Sequence, residues 1–147
     1  MPIQKNTRLV YLDTLPILRL LEFHPDYYPI MSRLLDQIYE NRIQMITSTL
    51  VLQEVATAAF RKNQEALALQ YHEFFTRSSR LSLRELDTSI AMRAAALRAQ
   101  HHLGTAEAIS LATAQHCGAD LIIAGNSKWQ EWCPVEVITL ENAPELI

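Results

Sequence analysis

Four residues have the types and positions that metal-assisted chemistry would use: Asp13, Glu54, Glu107 and Asn126. Asp13 ends a short apolar, β-prone run, TRLVYLD at 7–13, and Asn126 stands at the mouth of another, LIIA at 121–124. Glu54 has Leu50, Val51 and Ala58 at i−4, i−3 and i+4, and Val55 beside it. A glutamate that only solubilised a helix would sit on the polar face instead. Glu107 shares a helical row with Leu103 and Leu111. Hard oxygen donors of this kind bind divalent ions, which activate water and stabilise charge in phosphodiester hydrolysis. Clustered carboxylates repel one another until a cation neutralises them, so the combination matters more than any member. Each acid also has a plain structural reading, as a helix cap, a first-turn acid or a local ion-pair partner.

The elements that must position these residues alternate along the chain. TRLVYLD reads as a strand ending at Asp13, with Thr14 and Pro16 opening a helix to about Glu22. Pro25 breaks it, and residues 26–41 carry Ile30, Leu34, Leu35 and Ile38 at helical spacing. QMITS is a second strand, and Ser48 or Thr49 caps a helix to about Arg61. Asn63 is predicted to cap the next helix, to about Arg77. RLSLREL is a third strand, and Asp87 or Thr88 caps an Ala-rich helix through Ala99 that Gly104 closes off. Thr105 caps a helix over 106–116 before the strand ADLIIA, and VEVITL is the last strand. Strands separated by helices imply parallel βαβ units with helices covering a central sheet. Ligands then gather at the carboxyl ends of the strands, where Asp13 and Asn126 sit.

The 147 residues suit one domain, read here as 1–147, and their balance of half apolar and one-fifth charged residues is that of a globular protein. MPIQKNTR lacks the apolar centre of a signal peptide and no stretch is apolar enough to span a membrane, so a cytoplasmic location is expected. The net charge of −3 argues against a protein that grips nucleic acid over its whole surface. Between Arg61 and Arg98, however, seven basic residues face four acidic ones, a local +3 that leaves −6 for the rest. A solvated helical surface accounts for this, and contact with phosphates is the sharper alternative.

Three stretches carry a resemblance: LVYLDT, TSTLVLQEV and GTAEAISLATAQHCGADLIIAGN. In this order and spacing, over roughly residues 8–140, they resemble the signature stretches of PIN-domain ribonucleases, including VapC-like toxins. The resemblance implies an α/β fold, a PIN-like three-layer α/β/α arrangement around a central, mostly parallel sheet of four to five strands. It implies a ribonuclease acting on single-stranded or structured RNA, with Mg²⁺ or Mn²⁺ held by Asp13, Glu54, Glu107 and Asn126. It further implies the toxin of a toxin–antitoxin pair, a small antitoxin partner and a homodimer. Two positions depart from the pattern. Glu107 and Ala108 stand where the family usually reads Asp-Ala, and Ala124, Gly125 and Asn126 where it reads Thr-Asn-Asp. Lys128 falls where many members place a further aspartate. Asn126 can offer a carbonyl oxygen but no charge, and Glu107 adds a methylene, so weaker metal affinity and a preference for Mn²⁺ are expected. A PIN scaffold that has lost catalysis and binds RNA or protein is the alternative; an unrelated α/β domain in which all four residues are caps is a third.

The remaining chemistry-bearing residues read as structural. Cys117 and Cys133 are too far apart for a CxxC motif and suit small core positions. His101 and His102 are adjacent and point apart, and His24, His72 and His116 lack a ligand partner at helical spacing. Thr47 and Ser48 stand before the Glu54 helix, where capping competes with phosphate contact; Trp129 and Trp132 are expected to cover the core edge rather than stack on bases.

Overall fold

A computed structural model describes residues 6–125 and 127–142, without the Ser127 side chain. The strands are β1 Leu9–Leu12, β2 Gln44–Ser48, β3 Leu81–Arg84, β4 Leu121–Ala124 and β5 Glu136–Thr139. Among the described residues the helices are α1 Thr14–Leu21, α2 Tyr28–Glu40, α3 Thr49–Arg61, α4 Glu65–Arg77, α5 Thr88–His101 and α6 Thr105–His116. The strands form one sheet in the order β3-β2-β1-β4-β5, flanked by the helices in the expected three-layer α/β/α arrangement. The chain divides into two compact units, one made of 1–45 and 119–147, the other of 46–118.

In the first unit β4 pairs in parallel with both β1 and β5, with Leu12 opposite Ile123 and Ile123 opposite Ile138. All four β4 residues are buried, which explains why LIIA is continuously apolar rather than alternating: a parallel strand covered on both faces has no wet side. Asp120 holds the other end of this pair, its carboxylate accepting from the backbone N–H groups of Arg8 at 2.8 Å and Leu9 at 3.0 Å. Helix α1 lies against α2 and β4, and Ile17 of α1 and Met31, Leu34 and Ile38 of α2 are fully buried.

The second unit is built around α6. Ala108 to Ala114 are buried without interruption, so this helix has no solvated stripe over two turns. Its Ala and Ser side chains let α3 and α5 approach it closely. Helix α4 packs on α3 and against β3.

The helix ends differ from expectation in instructive ways. Asn63 does not cap α4; Gln64 takes the N-cap position, and Asn63 sits at φ 54° as the left-handed residue that closes α3. Its N–H donates to Phe60 O at 2.9 Å and the Gln64 N–H to Ala59 O at 3.0 Å, the paired bonds of a Schellman ending. Asparagine suits both jobs, so type alone does not separate them. Helix α5 ends at His102, left-handed at φ 54°, two residues before Gly104, and Gly104 rather than Thr105 occupies the N-cap of α6. Helix α2 begins at Tyr28, two residues later than expected, with Pro29 in its first turn. A 3₁₀ turn over Ser127–Glu131 has no counterpart in the sequence reading, because so short an element carries no periodic signal.

Candidate functional site

Asp13 stands at the carboxyl end of β1, as the strand pattern requires. Its backbone N–H donates to Ile123 O at 3.0 Å, which ties it beside the end of β4. It holds the N-cap position of α1 in extended backbone, φ −87° and ψ 174°, yet its side chain makes no capping bond. The same position is used otherwise in two other helices. Ser48 Oγ accepts from the Leu50 N–H at 3.1 Å, and Asp87 Oδ1 accepts from the Ile90 N–H at 2.8 Å. The half-buried Asp13 carboxylate is therefore not committed to the role that most simply explains an aspartate there.

Past the end of β4 the chain runs close to α1. A Cβ built on Gly125 would lie 2.8 Å from Leu15 Cβ, 3.1 Å from its Cγ and nearer still to Cδ2. Nothing larger than glycine fits while Leu15, two residues after Asp13, keeps its place. This contact gives a local reason for a glycine where the resembling family has asparagine. Asn126, the next residue, lies outside the described residues.

Glu54 and Glu107 belong to the second unit, on α3 and α6, which pack on each other. Glu54 is half-buried, bordered by the fully buried Val51 and Val55, so its apolar surroundings are real and not an effect of spacing alone. Glu107 is half-buried in the first turn of α6, where no side chain caps the helix and an acid also complements its dipole. Among the described residues no three His, Cys, Asp or Glu side chains stand together as a group that could hold a metal. The donor chemistry still fits a hard divalent ion: these three acids are carboxylates with access to solvent.

The neighbouring candidates resolve as structure. Thr47 and Ser48 are both fully buried, and the Ser48 hydroxyl is a cap. Trp129 is 1% exposed and belongs to the core, while Lys128 and Glu131 are exposed. Burial pushes both cysteine thiols up from their ordinary pKa, as small partly covered residues require. In the basic middle, Arg84 pairs with Asp87 at 3.0 Å; the Ile90 N–H, and then Arg84, hold the Asp87 carboxyl below the usual carboxylate range.

A family model described as the PIN domain matches residues 10–132. The chain belongs to the PIN domain family. The match runs through both units and spans Asp13, Glu54, Glu107 and Asn126. No curated protein matches this PIN domain. Solved structures do: a toxin–antitoxin complex from Klebsiella pneumoniae has TM-score 0.67 at 24% identity, covering 89% of this chain and 97% of that one. VapBC2 from Rickettsia felis, bound to a DNA fragment from its promoter, has TM-score 0.72 at 17% identity, covering 89% and 98%. VapC20 from Mycobacterium tuberculosis, a toxin that cleaves the sarcin-ricin loop, has TM-score 0.68 at 15% identity, covering 83% and 93%. At these identities the likeness is one of fold. Among the described residues no helix is long and apolar enough to cross a membrane.

Proposed function

We propose that this PIN domain is a metal-dependent ribonuclease of the cytoplasm and the toxin of a toxin–antitoxin pair. Asp13, Glu54, Glu107 and Asn126 are the residues we assign to Mg²⁺ or Mn²⁺. The observation that carries the reading is Asp13: a half-buried carboxylate fixed by its backbone to the end of β4 and left out of helix capping. When bound, the ion supplies an activated water and charge stabilisation on the attacked phosphate. The protein's own part is to hold the donors and to limit the water around them. Asp13 is fixed on the sheet by the strand pair, Glu54 is braced by Val51 and Val55, and Glu107 is carried on a buried helix. Asn126 contributes an oxygen without charge, so the set is weaker than four carboxylates and suits Mn²⁺, whose geometric demands are looser than those of Mg²⁺.

Partner binding follows from the toxin reading. Phe60 on α3 and Leu69 on α4 are 55% and 62% exposed, apolar surface of the kind that a small antitoxin or a second copy covers. A second reading, a PIN scaffold that binds RNA or protein without cutting, is favoured by the amide at 126 and the absence of a three-acid group among the described residues.

Cleavage of single-stranded RNA in Mg²⁺ and in Mn²⁺ decides between them. Asp13→Asn is expected to lower the rate at least about a hundred-fold while the protein stays folded, and Asn126→Asp to raise it. If neither the parent nor Asn126→Asp cuts RNA in either ion, the nuclease reading fails.

A further inference from the structure

The turn joining α1 to α2 carries FHPDYY, residues 23–28, four rings in six positions. Helix α1 ends there in a Schellman closure, Phe23 N–H to Leu20 O at 3.2 Å and His24 N–H to Arg19 O at 3.0 Å. Phe23 occupies the left-handed position of that closure, φ 53°, which glycine usually fills. A phenylalanine there is strained, and its side chain is 70% exposed, so neither backbone nor burial accounts for it.

The rings are ordered all the same. Phe23 lies against Tyr28 with centroids 5.0 Å apart and planes at 33°, and His24 lies against Tyr27 at 5.0 Å and 35°. His24 Nδ1 accepts from the backbone N–H groups of Asp26 at 3.2 Å and Tyr27 at 3.4 Å, which orients the ring. Tyr28 N–H donates to His24 O at 2.8 Å, which closes the turn. The result is an aromatic surface, exposed at Phe23 and half-buried at Tyr28, that is already in place to receive a flat partner.

Two further observations select the partner. Arg19 lies in the last turn of α1, its carbonyl bonded to the His24 N–H at 3.0 Å, and its buried Nε has no hydrogen-bond partner among the described residues. Asp13 lies at the opposite end of α1, whose eight residues span about 12 Å. A cation between a ring platform and a candidate reacting site matches a nucleic acid strand, with phosphate towards Arg19 and base on the rings. Glu22 and Asp26 flank the rings and repel phosphate, which keeps the backbone on the Arg19 side.

We propose that Phe23 and Tyr28 form a stacking site for an unpaired nucleobase of a single-stranded RNA whose backbone passes Arg19 towards Asp13. The site takes its ligand class from the nuclease reading but is tested apart from it. Affinity for a labelled single-stranded RNA is measured in chelator, with no divalent ion, for the parent chain, Phe23→Gly and Phe23→Tyr. Phe23→Gly is expected to weaken binding about tenfold, the loss of one stacked base, and Phe23→Tyr to keep the parent affinity. Glycine suits the positive φ, so the melting temperature should stay within about two degrees and exclude misfolding as the cause.

The site is overturned if Phe23→Gly binds as tightly as the parent, or if the parent binds no RNA. It is equally overturned if the variant loses only association with a protein partner. Cleavage by the parent in Mn²⁺ with an unchanged KM in Phe23→Gly would sink the stacking site and leave the nuclease reading standing. Ring-dependent binding without cleavage would do the reverse.

Discussion

Gly125→Ala tests whether the end of β4 and the start of α1 are locked together. The added Cβ would stand 2.8 Å from Leu15 Cβ, and ordinary contact begins at 3.4 Å, so one backbone must move by about half an ångström. Rotating Leu15 cannot relieve this, since its Cβ is fixed to the backbone. Overpacking of this kind costs about 1–3 kcal/mol, a fall in melting temperature of about 3–10 °C for a chain of this size. Leu15→Ala alone leaves its Cβ in place but frees Cγ and Cδ2 space, and as Leu15 is only half-buried it should cost about 1–2 kcal/mol. Combined, the two substitutions should cost less than their sum, with a coupling of about 1 kcal/mol in urea denaturation. Leu15 lies two residues after Asp13, so if the proposed ribonuclease activity is present, RNA cleavage should fall more than the population of folded protein does. A Gly125→Ala protein as stable as the parent, or strictly additive costs, would refute the close approach.

Two further outcomes are expected. Ser48→Ala removes the hydroxyl that accepts from Leu50 N–H and should cost about 1 kcal/mol in urea denaturation, a loss that threonine at this position largely restores; no change in midpoint would show the cap to be idle. Asp87→Asn keeps a capping oxygen but removes the charge. Because the folded Asp87 carboxyl lies below its ordinary value, near 4, its charge stabilises the fold above that pH, and the contribution is lost as pH falls through the depressed value. Parent and variant denaturation midpoints should therefore differ at pH 7 and converge in acid, whereas a gap independent of pH would contradict the assignment.

Much of the fold was legible in the sequence because its elements obey strong local rules. QMITS is β2 residue for residue, Ser48 caps α3 as its type suggests, and the apolar run LIIA is a strand buried on both faces. Boundaries blurred where one residue type serves two geometries. Asn63 and His102 tolerate left-handed backbone as well as helix-flanking positions, and only the chain path decides. The candidate acids were legible by type and neighbours, Glu54 above all, because a carboxylate beside buried valines breaks the amphipathic pattern. The Leu15–Gly125 contact was not, since it joins residues 110 positions apart and leaves only a glycine as its trace. The aromatic turn was also passed over. Its ring count was in plain view, but strain at Phe23 is a property of φ and not of composition.

The pairing of β1 with β4 also dictates when Asp13 can be in place during synthesis. Tyr11 and Ile122, register partners, leave the ribosome 111 residues apart, at about 5–20 residues per second. Until then β1 has no parallel neighbour on that side, and Asp13 lacks the carbonyl that fixes it. The intervening 46–118 form a compact unit of their own, and any compaction of it before β4 pairs shortens the effective loop that must close. The corner at Asp13 is therefore assembled only once Ile123 has been made, 110 residues after Asp13 itself.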